Sequence, residues 1–347
     1  MRVPATSANL GPGFDVLGLA LALYNDVVIE VGTGHGDDDR VVTHVDDDPE
    51  VGVGAAIDLG ATVLPPGADN YCALGADAVF RLAGVKRPEY RITVTQRIPV
   101  SRGLGSSAAA LVGGAVAANA LIDDPVPENE IVFALVDVEG HTEQLSAAMF
   151  GGLVGVAPPD DLPAPGLTRG GTPSTFGLDL SDSLSFALAI PDTTLATRTA
   201  RSVLPHEVPF QDAVANLAAL AALTTGLADA DPFLVGVGMR DTLHQPYRTE
   251  LLPASLDVLA AARDSGAHGA CWSGAGPTML AVCGDPDTAE AVANAMAARF
   301  ASAGTDAVGL VVAADTDGAT ITEIDGEEYV AEVAEDDLWD DDEDEEA

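Results

Sequence analysis

Positive charge is scarce in this sequence. Lysine occurs once, at Lys86, and the 15 lysines and arginines stand against 55 acidic residues, which gives a formal net charge of −40. This sign excludes a nucleic-acid-binding protein, because binding to a phosphate backbone needs basic side chains. At low salt such a density of acid repels itself and opposes the compact state, whereas at molar salt the Debye length falls to about 3 Å. We therefore expect a protein of a salt-accumulating halophile.

Cysteines, aromatic residues and long apolar runs are also few. Cys72, Cys271 and Cys283 are odd in number and lack metal-ligand spacing, so we expect neither structural disulfides nor a zinc site. Aromatic residues make up 5 % of the chain and hydrophobic residues 47 %, which predicts a core of mainly Ala, Val and Leu. No apolar run reaches the length of a membrane span, and no signal peptide opens the chain. We expect a cytoplasmic protein without membrane partners.

One glycine-rich segment carries the strongest functional signal. Residues 99–108 read PVSRGLGSSA and lie between an alternating run, 90–95, that predicts a strand and a small apolar run, 108–121, that predicts a buried helix. A glycine turn entering a helix directs free main-chain N–H groups and the positive helix end at one point. This arrangement favours binding of a phosphate.

The glycines and serines of this segment have distinct expected roles. We interpret Gly103 and Gly105 as letting the main chain approach a ligand without an intervening Cβ. Ser106 and Ser107 would cap the helix or offer a hydroxyl to a metal-bound phosphate. No lysine lies nearby, so the segment is not a P-loop, and it lacks the third glycine of a dinucleotide fingerprint. An ordinary glycine turn with a serine cap is the alternative.

Two further segments accompany this loop. Residues 4–15 read PATSANLGPGFD, and residues 273–278 read SGAGPT. In sequence and order, the three segments resemble the motifs of the GHMP kinase superfamily, and the first resembles the form found in homoserine kinases, here haloarchaeal-like in its acidity. The resemblance covers most of the chain. It implies ATP-dependent phosphorylation of L-homoserine to O-phospho-L-homoserine in threonine biosynthesis, with ATP and Mg²⁺ as cofactors.

The resemblance also implies the fold. We expect an α+β protein with an N-terminal ribosomal protein S5 domain 2-like domain and a C-terminal ferredoxin-like α/β sandwich. The ATP-binding domain is placed at 1–157, a Pro/Gly/Asp-rich linker at 158–175, the second domain at 176–315 and an acidic tail at 316–347. Mixed runs of strands and helices agree with α+β layers. Homodimer formation is left open.

The matching motif positions imply the contacts of the nucleotide. The implied ATP-binding residues are Asn70, Pro99, Ser101, Arg102, Gly103, Leu104, Gly105, Ser106, Ser107 and Ala108. For Asn70, capping of a helix that runs to about Leu82 is an equal alternative. By the resemblance, Ser107 and Glu139 share Mg²⁺. The family has a longer spacer between this glutamate and the position of His141, so Glu143 is the alternative ligand.

The matching positions also imply an acceptor site. Its implied residues are Asn9, Asp15, His141, Gln144, Arg201 and Arg248, with catalytic roles for Gln144 and Arg201. Asp15 suits the ammonium of an amino acid, and an arginine suits its carboxylate through a bidentate fork. Gln144 stands where the family has a substrate-orienting asparagine, and its extra methylene displaces the amide. No carboxylate base is expected, since phosphoryl transfer depends mainly on positioning and charge neutralisation.

Two alternatives to homoserine phosphorylation stay open at this point. One is a kinase for another small alcohol, such as mevalonate or shikimate, which has no use for both Asp15 and the arginines. The other is a non-catalytic nucleotide-binding homologue, motivated by the altered segment from Glu139 to Gln144. A panel of acceptor alcohols separates the first from homoserine kinase, and ATP binding without phosphoryl transfer would indicate the second.

Overall fold

A computed structural model of the chain describes residues 1–32, 40–46, 67–157 and 174–324. The elements of the first part are, in order, β1 (Arg2–Asn9), β2 (Gly13–Val31), β3 (Val41–Val45), α1 (Tyr71–Leu82), β4 (Tyr90–Gln96), α2 (Ser106–Asn119), α3 (Glu128–Glu139), α4 (Thr142–Phe150), β5 (Leu153–Ala157) and β6 (Ser174–Leu178). Those of the second part are β7 (Ser185–Pro191), α5 (Thr197–Ser202), α6 (Phe210–Asp229), α7 (Pro232–Gly238), α8 (Gln245–Arg248), α9 (Ser255–Asp264), β8 (Gly269–Trp272), β9 (Met279–Cys283), α10 (Pro286–Ser302) and β10 (Ala307–Val312). This mixture confirms the predicted α+β class.

The first sheet is organised around one long strand. Its order is β3-β4-β2-β5-β6, with β1 also paired to β2. The 19-residue β2 pairs antiparallel with β1, β4 and β5. Helices α2 and α4 pack against β1 and β2. Helix α2 consists mostly of Ala, Gly and Val and is buried on nearly all sides, so its first turn is fixed rigidly beside the glycine loop.

The second sheet carries the third motif. It is antiparallel in the order β10-β7-β9-β8, and α9 and α10 pack against it. The segment 273–278 is the turn between β8 and β9. Trp272, at the end of β8, is fully buried, which anchors the start of this turn.

Pairing between strands places two domain boundaries at other residues than expected. Strand β6 pairs with β5, so residues 174–178 extend the first sheet although the second domain was expected to start at 176. Ala314 and Thr320 pair with Leu21 and Arg2, so the chain returns to the first sheet near the expected start of the tail. Strand membership depends on hydrogen bonds that the sequence does not display. The remainder of the expected linker, 158–173, and the tail beyond 324 lie outside the described residues.

Cys72, Cys271 and Cys283 are free and buried. In the described part of the chain, no helix is long and apolar enough to cross a membrane.

Candidate active site

Hydrogen bonds join the three motifs into one site. The Thr6 N–H donates to the Leu104 carbonyl over 3.1 Å, so strand β1 is tied to the glycine loop. The Gly274 N–H donates to the Ala8 carbonyl over 3.0 Å. The Asn9 amide returns a bond of 2.9 Å to the Gly274 carbonyl. Segments separated by more than 90 residues in sequence therefore meet at one place.

Close contacts with other parts of the protein leave no room for a Cβ at Gly103 and Gly105. Gly103 and Gly105 have φ values of +74° and +66°. A Cβ on Gly103 would lie 2.3 Å from the Ser273 carbonyl oxygen, and one on Gly105 would lie 1.8 Å from Thr6 Oγ1. The space that a Cβ would take is occupied by β1 and the third motif, while both glycines also line the cleft, so their approach to a ligand stays a prediction. Close packing against the loop was not visible in the sequence.

The start of α2 also differs from the expectation. Gly105 is the N-cap, and Ser106 and Ser107 are the first two helical residues, so the expected serine cap is wrong. No side chain caps this helix end. The N–H groups of its first turn therefore have no partner within the helix. Among the described residues, the buried Ser106 hydroxyl has no hydrogen-bond partner either.

The first turn of α2, with its N–H groups and the Ser106 hydroxyl, borders a cleft of about 260 Å³. Its lining comes from the glycine loop, the ends of α3 and α4, the segment before α5 and the third motif, and includes Tyr71, Ser101, Gly103, Ser106, Ser107, Glu139, His141, Gln144, Thr197 and Gly276. Unpaired N–H groups, a hydroxyl and the positive end of a buried helix on one side of a cleft are suited to a phosphate.

The side chains of Ser107 and Glu139 meet at this helix end. The Ser107 hydroxyl donates to Glu139 Oε1 over 2.8 Å. Glu139 is the last residue of α3, and the left-handed Gly140 turns the chain directly into α4. The shortened spacer therefore still brings Glu139 to the loop serine. Glu143 lies on α4, is 2 % exposed and has no hydrogen bond to Ser107 in the described structure.

Burial changes the ionisation of both glutamates. It raises the pKa of Glu139 to about 7, although the Ser107 hydrogen bond opposes the shift. It likewise raises the pKa of Glu143 to about 7, with a smaller contribution from the charge of Asp15. A cation beside Glu139 would favour the ionised form again.

The side-chain oxygens of Ser107 and Glu139 are sufficient for a hard divalent cation only when phosphate oxygens complete its coordination. Ser107 and Glu139 supply oxygen ligands, which Mg²⁺ prefers. Within the described ranges, no group of three or more His, Cys, Asp or Glu side chains is arranged to hold a metal ion. Magnesium in kinases is held by one or two protein oxygens with phosphate oxygens and water, so the pair is sufficient when a nucleotide is present.

Several expected ATP contacts have side chains in packing roles. Arg102 is 3 % exposed, and its guanidinium donates to the Pro191 carbonyl and to Asp192. Asn70 caps α1 by accepting the Cys72 N–H over 2.8 Å, which is the alternative given above. Buried side chains also occur at the expected contacts Pro99, Leu104 and Ala108. Arg102 nevertheless lines the cleft, as does Ser101, which is exposed.

Asp15 and Arg201, two of the expected acceptor residues, form an ion pair. Arg201 donates to both Asp15 oxygens over 2.6 and 3.1 Å, and the side chains are 41 % and 36 % exposed for Asp15 and Arg201. Asp15 has a φ of +56°, and Asn9 and Leu10 are also left-handed. Non-glycine residues in this region store strain, which the surrounding contacts must overcome. One such contact is the bond of 3.0 Å from the Asp15 N–H to Asn9 Oδ1.

His141 connects Glu139 with Arg201. Its Nδ1–H donates to the Glu139 carbonyl over 2.9 Å, and its Nε2 accepts from Arg201 Nε over 3.1 Å. An accepting Nε2 requires the neutral ring. Burial and the charge of Arg201 both lower the pKa of His141, which favours that form.

Arg248 has a different environment from the expected one. It is 1 % exposed and donates to the carbonyls of Gly274 and Ala200 over 2.8 and 3.3 Å and to His244 Nδ1 over 3.1 Å. His244 Nε2–H in turn donates to the Gly11 carbonyl over 2.8 Å. Burial, with the nearby Arg201, lowers the pKa of Arg248 to about 10. The sequence did not reveal that Arg248 would satisfy a buried carbonyl of the third motif and another on α5, both of which need donors.

Gln144 lies where the loop, β1 and the third motif converge. Its Oε1 accepts from the Thr6 hydroxyl over 3.0 Å. Its amide lies close to both loops, since a Cβ on Gly105 would be 2.8 Å from Oε1 and one on Gly274 would be 3.3 Å from Nε2. The side chain also lines the cleft, so the longer glutamine still reaches the site.

Comparisons with known proteins decide the family. Residues 70–152 match the family model for the GHMP kinase N-terminal domain, and residues 219–302 match that for the C-terminal domain. The homoserine kinase of Moorella thermoacetica is 39 % identical over 304 residues, which cover 88 % of this chain and 93 % of that protein. That of Gloeobacter violaceus is 40 % identical over 303 residues, covering 87 % and 93 %. The chain belongs to the homoserine kinase family of GHMP kinases.

A solved structure agrees with this assignment. The crystal structure of homoserine kinase from Cytophaga hutchinsonii superimposes with a TM-score of 0.76 at 26 % identity, covering 91 % of this kinase and 95 % of that chain. The expected two-domain GHMP kinase fold is confirmed.

One side chain of the site was missed by sequence reasoning. The Phe14 ring lies beneath two guanidinium groups, with centroid distances of 5.2 Å to Arg201 and 5.6 Å to Arg248. It also contacts the His244 ring at 5.1 Å. Phe14 stands beside Asp15 in the first motif, which was a local signal, but its cationic partners are contributed by α5 and α8 and were not deducible from spacing.

Proposed function

We propose that this kinase transfers the γ-phosphoryl group of ATP to the side-chain hydroxyl of L-homoserine, giving ADP and O-phospho-L-homoserine for threonine biosynthesis. The observation that carries the proposal is the pair of opposite charges, Asp15 and Arg201, next to a cleft with a phosphate-binding helix end. An α-amino acid has an ammonium and a carboxylate on one carbon. These two side chains complement both groups, and relatives over most of the chain are homoserine kinases.

The phosphate end neutralises charge chiefly with main-chain groups. The first-turn N–H groups of α2 and the Ser106 hydroxyl face the cleft and would bind phosphate oxygens. Ser107 and Glu139 would hold Mg²⁺, which neutralises negative charge on the phosphates when bound. Glu139 must be ionised for this role.

The acceptor end positions the hydroxyl. Asp15 binds the ammonium and Arg201 the carboxylate, while the Gln144 amide orients the hydroxyl towards the γ-phosphorus. The hydroxyl oxygen forms a bond to phosphorus as the bond to the β,γ-bridging oxygen breaks. The hydroxyl proton passes to a phosphoryl oxygen. Positioning of this kind accounts for most of the catalysis in phosphoryl transfer.

ADP release in molar KCl tests the activity directly. L-homoserine, mevalonate and shikimate are offered as acceptors at equal concentrations, and O-phospho-L-homoserine is identified by mass spectrometry. We expect turnover with L-homoserine and at most traces with the other two. Binding of ATP without ADP release from any acceptor would contradict the proposal and favour a non-catalytic homologue.

The magnesium role is tested by titration of the metal. Glu139→Gln should raise the Mg²⁺ concentration for half-maximal rate on the order of tenfold or more, because it removes the only carboxylate bonded to Ser107 in the described structure. Glu130→Gln, at an exposed position of the same helix, is the matched control. An unchanged Mg²⁺ dependence in Glu139→Gln would remove this residue from the metal site.

We propose that the kinase works in the cytoplasm of a salt-accumulating cell. The net charge of −40 supports high salt, and three free, buried cysteines support a reducing compartment. Thermal stability should increase from low to molar KCl as repulsion between carboxylates is screened. A melting temperature that does not rise would contradict the salt adaptation.

We also propose that two copies pair through the outer face of α6. Phe210, Val214 and Leu217 recur at helical spacing and are 83 %, 50 % and 66 % exposed. No charged residue lies between Asp212 and Asp229. In a chain this acidic, an uncharged face is where two copies repel each other least.

Light scattering in molar KCl tests this pairing. The wild type should have the mass of a dimer, and Leu217→Asp should have that of a monomer. Phe233→Asp, which alters an exposed apolar residue on α7, should stay dimeric. A monomeric wild type would overturn the proposal.

A further inference from the structure

The two side chains proposed to bind the charged groups of the acceptor bind each other in this structure. Arg201 makes two hydrogen bonds to the Asp15 carboxylate, at 2.6 and 3.1 Å. The acceptor must therefore replace an existing ion pair. Its affinity is the difference between the contacts it forms and the pair it separates.

Contacts with other residues hold both Asp15 and Arg201 in place. Asp15 is fixed in a left-handed conformation by the bond from its N–H to Asn9. Arg201 donates through Nε to His141, and its guanidinium lies over the Phe14 ring. Each charge therefore stays at its position when the other is taken up by a ligand.

The outcome of replacing the pair depends on the charges of the acceptor. A zwitterion gives Asp15 an ammonium and Arg201 a carboxylate, so one ion pair is exchanged for two. A hydroxy acid supplies only the carboxylate and leaves Asp15 without a partner. An amino alcohol leaves Arg201 without a partner. A charge left unpaired in a partly desolvated site is unfavourable.

We propose that the Asp15–Arg201 pair makes the acceptor site selective for zwitterionic amino acids, because any acceptor with a single ionic group must leave one member of the pair uncompensated. The inference rests on the proposed function and extends it. Asp15 acts in two ways: it attracts the ammonium of the substrate, and it competes for Arg201 against acceptors that lack one.

Asp15→Asn separates these two actions. We measure by calorimetry the Kd of L-homoserine and of 4-hydroxybutanoate, which lacks the ammonium, with a non-hydrolysable ATP analogue and Mg²⁺ present. In Asp15→Asn the Kd of L-homoserine should rise ~100-fold. The Kd of 4-hydroxybutanoate should fall by up to about fivefold, the upper range for a partly exposed ion pair. An unchanged Kd of 4-hydroxybutanoate would overturn the proposal.

Asp192→Asn is the matched control. Asp192 forms an ion pair with Arg102 and is 53 % exposed. Its loss should leave both dissociation constants unchanged within twofold. An equal gain in 4-hydroxybutanoate affinity in this variant would show that general loss of negative charge is the cause, and would overturn the proposal.

A second test uses the wild-type protein and so does not depend on whether a variant folds. At constant ionic strength, methylammonium supplies the missing N–H donors to Asp15, so it should strengthen 4-hydroxybutanoate binding severalfold. Tetramethylammonium, which has no N–H, should not. Equal effects of both ions would overturn the proposal. Failure of the proposed function is distinct from either result, since it appears as absent ADP release with L-homoserine.

Discussion

At the phosphate end of the cleft, main-chain N–H groups, two hydroxyls and one buried carboxyl border the site, and the Arg102 guanidinium is bonded to the Pro191 carbonyl and to Asp192. At the acceptor end, by contrast, the site consists of charged side chains: Asp15, Arg201 and the buried Arg248. The first end depends on the path of the main chain and the second on charges fixed by their neighbours. In the proposed function, this enzyme with 15 basic residues would bind ATP, the more highly charged substrate, with fewer charged side chains than it uses for the acceptor.

The two ends should therefore fail differently when altered. A change in main-chain geometry at the loop moves several donors together, so its effect on activity is large. A change at the acceptor end removes one charge, so its effect is limited to the contact with one part of one substrate. The substitutions below separate these two kinds of failure.

Gly105→Ala should have the largest effect. The left-handed conformation alone costs a Cβ-bearing residue about 1–2 kcal/mol. The added methyl would also lie 1.8 Å from Thr6 Oγ1, which forces the loop or the Thr6 side chain to move. We expect kcat to fall on the order of 1000-fold in the ADP-release assay, since misplacement by an ångström costs about 100-fold for a single group.

Gly84→Ala provides the comparison for this variant. Gly84 has a φ of +65°, against +66° for Gly105, but a Cβ there meets nothing within 4 Å. It should lose about 1 kcal/mol of unfolding free energy and keep its activity. Similar losses of activity in both variants would mean that conformation, and not packing against β1, makes the loop sensitive.

Arg201→Ala should have the next largest effect, confined to one substrate. Loss of the guanidinium removes the bidentate contact to the acceptor carboxylate and should raise KM for L-homoserine about 100-fold. KM for ATP should change less than twofold. Arg198→Ala, three residues earlier on α5 and exposed, should change neither value. An equal rise in both KM values for Arg201→Ala would contradict the division of the cleft into two ends.

The phosphate end was the more predictable of the two from sequence. Its signal is local, because a strand, a glycine turn and a small-residue helix follow one another between 90 and 121. The acceptor end depends on packing across the chain. Burial of Arg248 by the third motif and Ala200 arises from contacts 26 and 48 residues apart, and no spacing rule reveals it. Arg201 was selected from the family resemblance, whereas its contacts with His141 and Phe14 required the structure.

Glu143 lies between the two ends and should produce a pH-dependent effect on stability. Burial raises its pKa from 4.5 to about 7, so ionisation opposes folding increasingly as pH rises from 4.5 through 7. Glu143→Gln removes that ionisation and should raise the unfolding free energy at pH 8.5 by roughly 2–3 kcal/mol. The difference should shrink to below about 1 kcal/mol at pH 5.

Denaturant unfolding at the two pH values in molar KCl checks this expectation. The exposed Glu290→Gln is the control and should differ little from the wild type at either pH. A Glu143→Gln variant that is less stable than the wild type at pH 8.5 would indicate that the carboxylate is compensated by a charge or cation at the acceptor end.

The smallest expected effect concerns the aromatic ring beneath the two arginines. Phe14→Leu keeps an apolar side chain but removes the ring face that lies 5.2 Å from Arg201 and 5.6 Å from Arg248. A cation–π contact at a partly exposed site contributes about 0.5–1 kcal/mol, so KM for L-homoserine should rise about threefold while kcat and KM for ATP stay constant. Phe14→Tyr retains the ring and should restore the wild-type KM. If tyrosine fails to do so, the ring acts by filling space beside His244, and the acceptor end is then organised by packing in the same way as the phosphate end.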